Sequence, residues 1–204
     1  MDVKIRQILK QIVALEHQLV REIHKQQQQF SYQIQNGKVV FNSVIQDAHK
    51  NFKIGVIPWI LGSQWRNLLS IPFIYSLSIP FVLLDICLCT YQSLCFRLYQ
   101  IPLVKRGDYF VFDRHRLKYL NFIQRFNCFY CSYVSCLIAF AREISARTEQ
   151  YWCPIKHAKK IRHPHSRYIS FSAYGDAENF AAEAKHQRDI IKQHHKKKSV
   201  LLRY

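Results

Sequence analysis

Residues 67–84 read NLLSIPFIYSLSIPFVLL, eighteen consecutive positions without a charge, and this stretch decides the fold. An uncharged, largely apolar run of that length meets the threshold for insertion into a bilayer. Asp85 closes it, and no further Asp, Glu, Lys or Arg follows until Arg97. Trp59 and Trp65 precede the run and Tyr91 and Tyr99 lie near its far end, where an interfacial aromatic belt would sit. Pro72 and Pro80 each remove a helical hydrogen bond and disfavour helix at the residue before. Both flanks are basic, with Lys50, Lys53 and Arg66 before and Arg97, Lys105, Arg106, Arg114 and Arg116 after, so the positive-inside rule assigns both to the cytoplasm. These observations predict a re-entrant apolar helical hairpin that enters near Leu68, bends near Pro80 and returns near Arg97. Its arms would be roughly 11–17 residues long and reach about 16–25 Å. A single kinked transmembrane helix is the alternative. Asp85 is costly at membrane depth without a partner, and reads as a polar staple to a backbone amide, to Tyr91 or to another helix, ahead of a proton or ligand site.

Outward from this block the chain is strongly basic. Its 30 Lys and Arg against 13 Asp and Glu give a net charge of +17 over 204 residues, enough chain for one domain plus a membrane segment. Such an excess meets a polyanion or remains as solvated surface. For a chain already in a bilayer, anionic lipid is the first polyanion met, and nucleic acid is the weaker fit. With 5 Gly and 6 Pro, composition favours helices over a sandwich or barrel. The fold class is therefore mostly α and membrane-associated. Residues 1–25 carry charges throughout and lack the apolar core of a secretory signal, so the 7 Cys are expected in a reducing compartment as ligands, reactive groups or core residues.

Four regions follow: an amphipathic helical region at 1–55, the membrane segment at 56–100, a Cys/His-containing helical region at 101–165, and a basic helix and tail at 166–204. Ile5, Ile8, Leu9, Ile12, Leu15, Leu19 and Ile23 recur at three- and four-residue spacings, predicting a helix over 3–29 that suits a protein partner or a short coiled coil. Tyr32, Ile34, Val39 and Phe41 around Asn36-Gly37 admit a small hairpin, but a helix from Asn42 or Ser43 to about Phe52 is the preferred reading. A second helical region is expected at 115–150, capped locally by Asp113, with Glu143 and Arg147 as an ordinary ion pair. Glu149 is set to neutralise an Arg of the basic region beyond. His163-Pro164-His165 reads as part of a basic loop. Asp176 opens a last helix to about His195, followed by the basic tail His194–Lys198.

One constellation carries metal chemistry. Cys128 and Cys131 form C-x2-C, and Cys153 and His157 form C-x3-H; three thiolates and an imidazole are a tetrahedral zinc set. Iron or an iron–sulfur cluster is the alternative cofactor. Pro154 suits the first position of a helix, which would make Cys153 its cap and favour the thiolate. Packing is the competing reading, and it is the default for Cys87, Cys89, Cys95 and Cys136. No P-loop, dinucleotide-binding glycine pattern, nucleophile elbow or H-E-x-x-H is present.

The runs Tyr119-Leu120-Asn121, Asn127-Cys128-Phe129-Tyr130-Cys131 and Ala146–Ala158 (ARTEQYWCPIKHA) resemble a bacterial family of uncharacterised membrane-associated proteins. The resemblance covers half to two-thirds of the chain and implies a bacterial, membrane-associated protein but no activity; with the basic flanks, the expected location is the bacterial inner membrane, soluble regions on the cytoplasmic face. The expected function is a membrane-anchored binding, interaction or accessory protein without catalytic residues. A metal- or thiol-dependent membrane redox protein using Cys128, Cys131 and Cys153 is the alternative.

Overall fold

The computed structural model of the chain describes residues 3–29, 32–35, 38–41 and 49–201. The chain divides into two units, one of residues 1–61 and 113–126, the other of 62–112 and 127–204.

In the first unit, α1 (Val3–Gln29) follows the apolar periodicity, and its described side chains are solvent-exposed. The strands β1 (Tyr32–Gln35) and β2 (Lys38–Phe41) pair antiparallel, with Gln35 opposite Lys38 and Tyr32 opposite Phe41. The hairpin therefore forms, against the preferred reading. Val39, Val40, Phe41 and Tyr32 are strand-favouring residues, and two intervening residues, Asn36-Gly37, suit a tight connection. The helix start expected at Asn42 or Ser43 lies outside the described residues. After α2 (Val56–Leu61), the chain leaves this unit and returns at Asp113.

The second helical region starts later than expected. Residues Arg114–Arg116 form a 3-10 turn in which Asp113 makes no side-chain cap, and the long helix begins at Phe122. The cap is Asn121: its Oδ1 accepts the Gln124 amide at 2.9 Å while Gln124 Oε1 accepts the Asn121 amide at 2.9 Å. This reciprocal pair satisfies two otherwise orphaned N–H groups, which a helix begun at His115 would not achieve.

In the second unit the apolar block is one helix, not a hairpin. From Trp65 to Tyr99 the chain is helical for 35 residues: α3 (Trp65–Ser76), α4 (Ser78–Tyr91), a wide π turn (Gln92–Phe96) and α5 (Arg97–Tyr99). Leu77 between α3 and α4 keeps right-handed helical angles, φ −67° and ψ −12°, so the chain does not double back at Pro80. Pro80 falls in the first turn of α4, where a missing N–H is tolerated. The stop comes at Gln100, left-handed with φ 59°, and Pro102 lies two residues on.

The helix α6 (Phe122–Trp152) runs in the same direction as the apolar helix. Tyr75 meets Asn127 and Tyr130, Asp85 meets Tyr133, and Tyr91 meets Thr148, so the pairings advance together along both. The link 100–112 returns between these partners. The Gln92 side chain accepts the Val104 amide at 3.1 Å, Arg147 donates to the Pro102 carbonyl, and Phe112 stacks on Phe129 at 5.0 Å. Phe96, Ile101, Val104, Leu137, Phe140, Ile144 and Ile191 form the core where link, helices and the C-terminal α7 (Phe180–Leu201) meet. Asp176 does not start α7 but holds the turn before it, accepting the Asn179 amide at 3.2 Å. The basic run 194–198 continues the helix.

Candidate functional site

From Phe81 onward along the apolar helix, residues spaced by three and four alternate between two fates, whereas residues 65–77 are exposed on nearly every side. Phe81, Asp85, Leu88, Cys89, Gln92 and Phe96 face the rest of the unit. On the opposite side Phe73, Ile79, Leu83, Ile86, Leu94 and Leu98 are bare, with Phe73 and Leu98 each 76% exposed. Ser78, Ile79, Val82, Leu83 and Ile86 line a shallow apolar groove of about 370 Å³ on this side. None of the most apolar stretch of this helix is buried within the structure. An uncovered apolar strip of this length is unusual for a water-soluble monomer and marks a contact surface.

On the packed side, Asp85 is 9% exposed and fully partnered. Arg106 grips it with both guanidinium nitrogens, Nη2 to Oδ2 at 2.7 Å, and Tyr133 donates to Oδ2 at 2.9 Å. The Cys89 thiol lies 3.6 Å from Oδ1, and the Arg106 guanidinium sits 3.9 Å from the Phe110 ring centre. Burial, and then the bond to the Asp85 carboxylate, push the Tyr133 phenol up to about 12, so it stays a donor. A bidentate, hydrogen-bonded ion pair is what permits a carboxylate inside an apolar helix. The polar-staple reading of Asp85 thus finds its partner in Arg106, with Tyr133 from α6.

The far half of α6 carries a second polar assembly. Arg147 Nε bonds Glu143 at 2.8 Å, as the four-residue spacing predicts, and Arg167 bonds the same oxygen at 2.9 Å. Arg167 also donates to Gln150, which donates to the buried Gln187 of α7 at 3.0 Å. Glu149 pairs with His165 at 2.9 Å rather than with an Arg. These contacts fasten 153–179 and α7 to α6. At the end of the apolar helix Tyr99 stacks on Tyr151 at 5.1 Å and meets Trp152 edge-on at 5.3 Å. Exposed Lys159, Lys160 and Arg162 follow in the adjoining loop.

The expected metal set is not brought together. Cys128 and Cys131 share a face of α6, but the helix continues unbroken to Trp152, placing Cys153 about 33 Å farther along at 1.5 Å per residue. Zinc–sulfur bonds are about 2.3 Å. Nor does Pro154 begin a helix: it follows the end of α6, is fully buried, and its carbonyl accepts the Ser172 amide at 2.8 Å. Cys153 and His157 are exposed, and the His157 amide is held by Tyr168 at 2.6 Å. Among the described residues no three His, Cys, Asp or Glu side chains converge as metal ligands.

No family model, curated protein or solved structure matches the chain.

The functional residue that sequence reading missed is Arg106. It was legible only as one of several basic flanking residues. The one available signal was Asp85 itself, since a carboxylate in an apolar helix demands a cation.

Proposed function

We propose that this chain is a membrane-seated binding protein, held at the cytoplasmic leaflet by its apolar helix. The observation that carries this reading is the bare strip running from Phe73 to Leu98 on a helix whose opposite face packs against the core of its unit from Phe81 to Phe96. Burying such a strip among acyl chains yields about 25 cal/mol per Å² of apolar surface. Nearby exposed cations add attraction to anionic lipid, about 1 kcal/mol for each Lys or Arg near the surface. The aromatic cluster Tyr99, Tyr151 and Trp152 suits the headgroup layer. The second half of α6, tied to α7 by the Glu143–Arg167–Gln150–Gln187 chain, gives the seated protein a rigid polar body. The uncovered stripe Ile8, Ile12, Leu15 and Leu19 on α1 is the surface offered to a helical protein partner.

Flotation with vesicles of phosphatidylcholine and phosphatidylglycerol tests the reading. The full chain should rise with the vesicles and stay with them in high salt. The triple change Phe73→Lys, Leu83→Lys and Leu94→Lys should leave it in the soluble fraction. A wild-type chain that stays dissolved without detergent and does not float refutes the proposal.

A further inference from the structure

We infer that the apolar helix lies along one leaflet instead of crossing the bilayer, its bare face sunk among acyl chains of anionic lipid and its packed face turned to water. The inference rests on the membrane reading above and adds an orientation to it.

Length is the first observation. Thirty-five helical residues extend about 52 Å, whereas the hydrocarbon core is about 30 Å thick. A helix crossing without steep tilt would leave about 20 Å outside the hydrocarbon, so part of the bare strip from Phe73 to Leu98 would stand clear of the acyl chains.

The sides of the helix are the second. A spanning helix meets hydrocarbon or protein on every side, and the protein beside this one is not built for hydrocarbon. Lys105, Arg106, Gly107 and Asp108 are exposed on the link, level with Asp85 and Cys89 through the Arg106 contacts. The charged pair Glu143 and Arg147 follows on α6, with Arg147 bonded to the link at Pro102. The link itself is largely non-helical backbone beside residues 85–96 of the apolar helix, and exposed irregular backbone does not occur in lipid.

A shorter crossing by 67–84 alone fares no better. It would carry the polar Asn127, bonded to Tyr75, to mid-depth. Laid flat, the same molecule keeps these polar groups out of the hydrocarbon. The strip Phe73, Ile79, Leu83, Ile86, Leu94 and Leu98 faces down along its whole length. The link and α6 face up, and the exposed cations Arg97, Lys105, Lys159, Lys160 and Arg162 lie among anionic headgroups.

Depth-dependent quenching tests this in vesicles of phosphatidylcholine and phosphatidylglycerol. A thiol-reactive fluorophore is placed on full-length Phe73→Cys, Leu83→Cys or Leu98→Cys, with exposed Cys87, Cys131 and Cys153 changed to Ser. Quenching by lipids spin-labelled near the headgroup is compared with quenching by lipids labelled near the chain terminus. A helix in the leaflet plane gives the same ratio at all three sites, with the shallow label several-fold more effective. A ratio that inverts at Phe73 or at Leu83 and recovers at Leu98 describes a crossing helix and overturns the inference. Quenching by neither lipid at any site refutes the membrane reading itself. The unmodified chain provides a second measurement, with a membrane-soluble carbene precursor and peptide mapping. Labelling of the strip from Phe73 to Leu98, with Phe81, Cys89 and the link spared, supports the flat seat. Labelling all around 67–84 and nowhere beyond overturns it.

Discussion

Replacing the two halves of the Asp85–Arg106 pair separately should not cost the same. The side chains are 12% and 43% exposed respectively, so only the carboxylate is truly withdrawn from water. Arg106→Met strands a buried negative charge, for which losses of about 3–5 kcal/mol are typical. Tyr133 remains as a partial donor, which places the expected loss near the lower end, about 3 kcal/mol. Asp85→Leu frees a guanidinium that can rehydrate, and orphans the Tyr133 hydroxyl at about 1–3 kcal/mol. Its expected loss is about 2 kcal/mol, with the ionic contribution discounted for the exposure of Arg106. The double change removes both charges and leaves only Tyr133 unsatisfied, again about 2 kcal/mol. The cycle then yields a coupling of about 3 kcal/mol, well above the ~0.5 kcal/mol scatter of independent sites. The assay is reversible urea unfolding in mild detergent, followed by far-ultraviolet circular dichroism. Additive single losses, or an Arg106→Met loss smaller than that of Asp85→Leu, would refute a buried carboxylate that depends on its arginine.

Acid should loosen the polar half of α6. Burial raises the Glu143 carboxyl, but Arg147 and Arg167 together outweigh it and hold the group below the ordinary glutamate range. A carboxylate whose folded pKa is depressed contributes stability that is complete above its unfolded value, about 4.3, and lost as pH falls through the folded value. Tm of the wild type is expected to be level above about pH 5 and to drop below it, with Glu143→Gln lower at neutral pH and flatter on the acid side; parallel acid limbs would contradict the assignment. Metal removal gives a different result: dialysis against a strong chelator should leave the circular dichroism spectrum and Tm unchanged. Added cobalt should produce no thiolate charge-transfer band. Loss of helix on chelation would mean that Cys128, Cys131, Cys153 and His157 do meet.

The helices were legible where a period was long and unbroken. The stripe Ile8, Ile12, Leu15 and Leu19 announces α1, and the uncharged run 67–84 announces the apolar helix. Prolines misled because their effect depends on position: Pro80, read as a bend, sits in a first turn where its missing donor is harmless. The Glu143–Arg147 pair is local and could be read from spacing. Asp85–Arg106 spans 21 residues, and its assignment required the path of the link, which no local pattern records. The metal set failed for a related reason. C-x2-C and C-x3-H are each compact, but the 21 residues between Cys131 and Cys153 were free to be helix or loop, and helix keeps them apart. Asn121 and Gln124 form a readable capping signature that competed with Asp113 and won because both of its donors are satisfied.

The same-direction pairing of the apolar helix with α6 also governs how the protein must be born. The apolar helix is finished when Tyr99 joins the chain, but Tyr133 and Thr148, its partners on α6, arrive 34 and 49 residues later. At synthesis rates of about 5–20 residues per second, the ribosome therefore displays an unroofed greasy rod for about 2–10 seconds. Capture by the translation-coupled membrane machinery or by a holding chaperone must fall within that interval, and silent changes that slow decoding between residues 100 and 148 lengthen it.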